Sequence, residues 1–213
     1  MSDFDHREKK LEEAIEHYLT TYGGYQQGDA KAYDKEHALE TKTLIQFIQD
    51  TQPKEWDKYQ KIYGNNSEKA FIARFSKEIR QVGIIHVLRR GFSDNGITFR
   101  VAFFKPETGL NEKTVKLYEQ NILSCTRQIR YSLKNNNSLD MVLFLNGIPL
   151  VTLELKDQFS GQNVDDAIKQ YKYDRSPVEP IFDFPNRTLV HFAVEYCAGV
   201  VCNPFYFVCW IFN

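Results

Sequence analysis

Residues 138–156 read SLDMVLFLNGIPLVTLELK. Two apolar, β-prone runs flank Asn146-Gly147, and Asn-Gly between such runs is the strongest short-range signal for a β-hairpin. Three charged residues ride on this hairpin: Asp140 near the start of the first run, and Glu154 and Lys156 at the end of the second. Strand alternation puts Glu154 and Lys156 on one face and sends Leu155 to the other, into a core.

Two acids and a lysine are costly on so apolar a hairpin unless they are paired or bind a metal. Metal-assisted phosphodiester hydrolysis uses this set. Two carboxylates hold a hard divalent cation, Mg2+ or Mn2+, through oxygen. The cation lowers the pKa of a bound water. Lys156 beside it can orient or deprotonate that water and stabilise the transition state. The competing reading is a solvated strand end or a simple ion pair, since an Asp followed by Glu-x-Lys is a short and common pattern.

Register separates the two readings. A strict two-residue loop pairs residue 145 with 148 and puts Asp140 across from Leu153, on the wrong face from Glu154. A bulged loop pairs 145 with 149 and sets Asp140 opposite Glu154. The sequence therefore predicts a bulge, there or at an equivalent position, if both carboxylates serve one site.

Composition narrows the class. The chain has 213 residues, enough for one substantial domain or two small ones, and at 42% hydrophobic and 26% charged a soluble globular chain is expected. A net charge of −1 excludes a broadly basic nucleic-acid binder but not a locally basic cleft. Its four cysteines show no C-x-x-C spacing, which argues against zinc. The charged N-terminus lacks a signal-peptide core and no run reaches membrane-spanning length, so a cytoplasmic protein with no membrane partner is expected.

Outward from the hairpin, apolar periodicity predicts helices over residues 11–20, 38–51, 55–63 and 68–81. The first carries Glu12, Glu13, Glu16 and His17 on its polar face. That face reads as solvated, or else one of its acids leans over the metal site. Lys69, Arg74, Lys77 and Arg80 form a basic side on the fourth helix, read as a solvated face before a phosphate contact. Residues 84–91 and 97–106 read as a hairpin. Val115, Tyr118, Ile122, Cys125 and Ile129 stand at helical spacing and predict one long helix over 112–132. A turn at 160–163 leads to a helix over 164–174, and 188–196 reads as a last strand. The fold class is α/β, a mixed central sheet flanked by helices. Domain 1–196 is followed by an uncharged apolar tail, 197–213, with three cysteines.

With Asp140, Glu154-Leu155-Lys156 and Gln170 in place, the chain resembles the N-terminal nuclease domain of the restriction (R, motor) subunit of type I restriction-modification enzymes. The similarity runs from about residue 11 to 196. It includes FIQDTQP (47–53), LRRG (88–91) and FFKPETGLN (103–111). Its most specific parts are SLDMVLFLNGIPL (138–150), LELKD (153–157) and GQNVDDAIKQYKYDR (161–175). The family belongs to the PD-(D/E)xK nuclease superfamily, which implies a restriction-endonuclease-like core and a Mg2+-dependent endonuclease acting on double-stranded DNA.

By motif position, the resemblance implies that Asp140 and Glu154 bind the metal, that Lys156 is catalytic, and that Gln170 opens a Gln-x-x-x-Tyr element. Here position 174 is Asp174, so Tyr171 or Tyr173 fills the tyrosine role, or both are packing aromatics. Lys172, Tyr173 and Arg175 are candidate DNA contacts. The resemblance also implies modification and specificity subunits as partners. ATP would serve only a helicase motor, and the chain has no G-x-x-x-x-G-K-[ST] sequence. The alternative function is a non-cutting nucleic-acid-binding or assembly module of the same fold. A hydrolase of another kind finds no G-x-S-x-G, H-E-x-x-H or Cys-His arrangement to support it.

Overall fold

The computed structural model describes residues 5–157, 164–196 and 205–210. It is a mixed α/β fold around a sheet ordered β1-β4-β5-β6-β7-β8. The strands are β1 (Gln26–Gln27), β4 (Leu123–Arg130), β5 (Ser138–Leu145), β6 (Ile148–Asp157), β7 (Val190–Tyr196) and β8 (Phe205–Trp210). Pairs β1/β4 and β6/β7 are parallel, and the other neighbours are antiparallel.

Helix α1 (Asp5–Tyr22) covers one face. Its Leu11 packs with Cys125, Met141, Leu153, Leu155 and Val194. The other face carries Ile129, Tyr131, Leu139, Val142 and Phe144, packed with Tyr171 and Ile181. Helices α2 (Thr41–Thr51), α3 (Pro53–Tyr63) and α4 (Ser67–Val82) build a third core rich in aromatics, including Trp56, Tyr59, Phe71 and Phe75. These helices agree with the apolar stripes read from the sequence. On the basic side of α4, Arg74 pairs with Glu78 at 2.6 Å, as a surface helix does at i, i+4 spacing.

Two segments differ from the pattern reading. Residues 84–91, expected as a strand, form helix α5 (Ile84–Arg90). Ile84, Val87 and Leu88 are the buried positions, which is helical spacing. The hairpin here is shorter, β2 (Phe92–Asp94) against β3 (Ile97–Phe99), turned by left-handed Asn95 and Gly96. The long helix expected over 112–132 ends early: α6 spans Glu112–Glu119, and the remainder is strand β4. Ser124, Cys125 and Thr126 are all buried. The hydroxyls of Ser124 and Thr126 donate to the buried carboxylate of Glu40, at 3.2 and 2.9 Å, so polar residues are tolerated on a strand covered on both faces. Within the tail, residues 205–210 form β8 on the free edge of β7. Positions 197–204 and 211–213, and the turn expected at 160–163, lie outside the described residues.

Candidate active site

The central hairpin turns at Asn146 (φ 53°) and Gly147 (φ 79°), both left-handed, as a two-residue primed turn requires. The Asn146 side chain is buried. It accepts the Ile122 N–H at 2.6 Å and donates to the Val101 carbonyl at 2.9 Å. The expected bulge is present but displaced. Leu145 pairs with Ile148 and Phe144 with Pro149, then Leu143 pairs with Val151. Leu150 is therefore the extra residue. The shifted register runs on through Met141 and Leu153, and its continuation sets Asp140 across from Glu154.

Beyond Met141 the ladder gives way to a side-chain contact, in which Asp140 Oδ2 accepts the Leu155 N–H at 2.8 Å. Glu154 is 2% exposed and Lys156 6%, so both charged side chains are inside the protein. Burial, and then the Asp140 charge, push the Glu154 carboxyl up to about 8. Among the described residues Lys156 forms no ion pair within 4.0 Å, although its charge acts on Glu154 in the opposing direction.

Helix α7 (Val164–Lys169) continues as a single π-helical turn, Gln170–Asp174. Such turns recur at functional sites because they rephase the side chains that follow. Tyr171 points inward, and its hydroxyl lies 2.9 Å from Thr152 Oγ1 on β6. Thr152 Oγ1 is in turn 2.6 Å from Nδ1 of buried His191 on β7. Tyr173 is 78% exposed and Lys172 is also on the surface. The tyrosines are thus sorted, Tyr171 into the core and Tyr173 to solvent. The Gln170 Oε1 atom is buried and has no hydrogen-bond partner among the described residues.

Arg175, a candidate DNA contact from the sequence, lies inside this arrangement. Its guanidinium donates to Glu154 Oε1 and, at 3.0 Å, to the Tyr131 hydroxyl, and sits 5.3 Å from the Tyr131 ring centroid. Its side chain is 11% exposed. The pairing depends on the fold of 170–175, which no spacing rule on the sequence conveys. Glu12 on α1 is also drawn in. It is buried, and Gln128 on β4 bridges it to Asp140, donating at 2.6 Å to Glu12 and at 3.4 Å to Asp140. The reading in which one acid of α1 leans over the site therefore has a residue. Gln128 itself carried no signal in the sequence.

The donor set fits a hard cation. Asp140 and Glu154 supply oxygens, and among the described residues no third His, Cys, Asp or Glu joins them closely enough to make a metal cage. Mg2+ is commonly held in this way, by one or two carboxylates with water and substrate phosphate completing the shell.

No curated protein and no solved structure matches the chain. The family described as type I restriction enzyme R protein N terminus matches residues 8–208, nearly the whole chain. The chain belongs to the family of type I restriction enzyme R protein N termini.

Proposed function

We propose that the chain is the Mg2+-dependent endonuclease domain of a type I restriction enzyme, hydrolysing phosphodiester bonds in double-stranded DNA. Family membership makes it the nuclease region of such an enzyme. The observation that carries the finer reading is the register of the central hairpin, in which the Leu150 bulge brings Asp140 across from Glu154, two residues before Lys156. Asp140 and Glu154 would hold the cation, which supplies an acidified water and offsets phosphate charge. Lys156, without an ion-pair partner among the described residues, is available to orient the water or the phosphate. Gln170, whose buried carbonyl oxygen has no partner among the described residues, can accept a hydrogen bond from Lys156 or from a water. Arg175, donating to Glu154 Oε1, would orient that carboxylate. Tyr173 and Lys172, both exposed on the same turn, would contact the DNA backbone.

Modification and specificity subunits are the partners, and target choice belongs to them. A cytoplasmic location fits this role, and among the described residues no helix is long and apolar enough to cross a membrane. The test is cleavage of supercoiled plasmid by the chain, with and without Mg2+, beside Lys156→Ala. Mg2+-dependent nicking lost in the variant supports the reading. Nicking that survives Lys156→Ala assigns it to another site, and no nicking under any condition favours the non-cutting module.

A further inference from the structure

Gln128 lies on β4 between the pairs Arg127–Met141 and Ile129–Leu139, so it faces Asp140. Its φ is +52°, in the left-handed region that side-chain-bearing residues other than Asn and Asp seldom adopt. The register is the same on both sides of it, so no residue is inserted and the backbone turns over in place. The result is an inversion of faces along the strand. Cys125 packs under α1, and Arg127 reaches Glu16 of α1 at 3.2 Å. Ile129 and Tyr131 instead pack with Tyr171 on the opposite side.

Glycine would serve that inversion with less strain. The glutamine adds an amide that acts on two acids. Nε2 donates to Glu12 Oε1 at 2.6 Å and to Asp140 Oδ1 at 3.4 Å, while Oε1 accepts from Ser138 Oγ at 3.4 Å. Asp140 Oδ2 accepts the Leu155 N–H from the strand on its other side. The Asp140 carboxylate is thereby gripped from β4 and from β6, and the β4 grip is anchored on α1 through buried Glu12. Backbone strain held in place by such contacts is a property of functional positions.

We propose that Gln128 is a positioning residue of the cation site: anchored on Glu12, its amide fixes the orientation of Asp140 for the metal. This rests on the proposed Mg2+-dependent reading. Residues that hydrogen-bond a ligating carboxylate control metal affinity without touching the ion.

The experiment is calorimetric titration of Mn2+ into the full chain, with melting temperatures measured alongside, for wild type, Gln128→Gly and Gln128→Asn. Both substitutions tolerate the left-handed backbone. Glycine removes the amide, and asparagine keeps it one methylene too short to span Glu12 and Asp140. The expected result is a melting temperature at or above that of wild type in the glycine variant, with Mn2+ affinity lowered about tenfold in both. Unchanged affinity in the glycine variant overturns the proposal and leaves Gln128 a backbone pivot. Affinity that falls only together with the melting temperature also overturns it, as does an asparagine variant that binds like wild type. Absence of Mn2+ binding in the wild-type chain is a different failure, that of the metal reading itself, and removes the inference with it.

Discussion

Arg175 donates through its guanidinium to Oε1 of Glu154, a carboxyl that the fold has taken almost completely out of water. The two residues come together because the π-helical turn after Lys169 brings the chain back over the end of β6, where the Arg175 N–H accepts its place by donating to the Gln170 carbonyl at 2.9 Å. Breaking a buried pair by removing one partner is far more damaging than replacing both. Arg175→Ala is therefore expected to destabilise the metal-free chain by about 3 kcal/mol, read as a lower urea midpoint at pH 8. Arg175→Ala with an unchanged midpoint would mean that the pair contributes nothing to the fold.

Glu154 gives a pH signature. Burial and the neighbouring Asp140 favour its neutral form, raising the carboxyl from 4.5 up to about 8. A raised folded-state value means that this group's contribution to stability is full below pH about 4.5 and is lost as pH rises through about 8. Cation binding needs the carboxylate, so it must release a proton in the window between those values. Mn2+ titrations at pH 6.5 should show heats that differ between buffers of different ionisation enthalpy, and the difference should vanish well above pH 8, where the carboxyl is already ionised. Buffer-independent heats at that pH would contradict this.

His191 has the opposite sign. It is buried under Tyr171 and against Thr152, and burial lowers it from 6.5 to about 4. The contribution of a base held neutral is full above pH about 6.5 and is lost as pH falls through about 4. At 1.36 kcal/mol per unit, the acid limb from this residue amounts to about 3 kcal/mol. His191→Gln should flatten stability between pH 6.5 and 4 relative to wild type in urea unfolding. A parallel decline in the two proteins would show that His191 is not the group that titrates.

The hairpin and its charged cargo were legible in the sequence because Asn146-Gly147 and the alternation around it are local signals. The helices α2 to α4 were legible for the same reason: each buries a stripe of its own residues. Strand β4 was not legible. The left-handed Gln128 inverts its faces, so Cys125 and Ile129 are buried on opposite sides of the sheet. The period-2 pattern is erased, and the positions that remain apolar mimic a helix. Helix α5 misled in the other direction, since Ile84, Ile85 and Val87 are β-branched, yet Ile84, Val87 and Leu88 find the helical core. For the site, the spacing of Asp140, Glu154 and Lys156 carried the chemistry. What it left open, the choice of Glu12 among the acids of α1, the part of Gln128 and the inward turn of Arg175, depends on contacts spanning up to 116 residues of sequence.

The most direct measurement is the titration of Mn2+ into the wild-type chain beside Asp140→Ala and Glu154→Ala, at pH 8, with melting temperatures recorded to show that each variant is folded. If the Leu150 bulge brings the two carboxylates to one cation, wild type binds Mn2+ at a site whose heat disappears in both variants. Binding of unchanged affinity and stoichiometry in either folded variant would contradict a shared site and move the metal elsewhere.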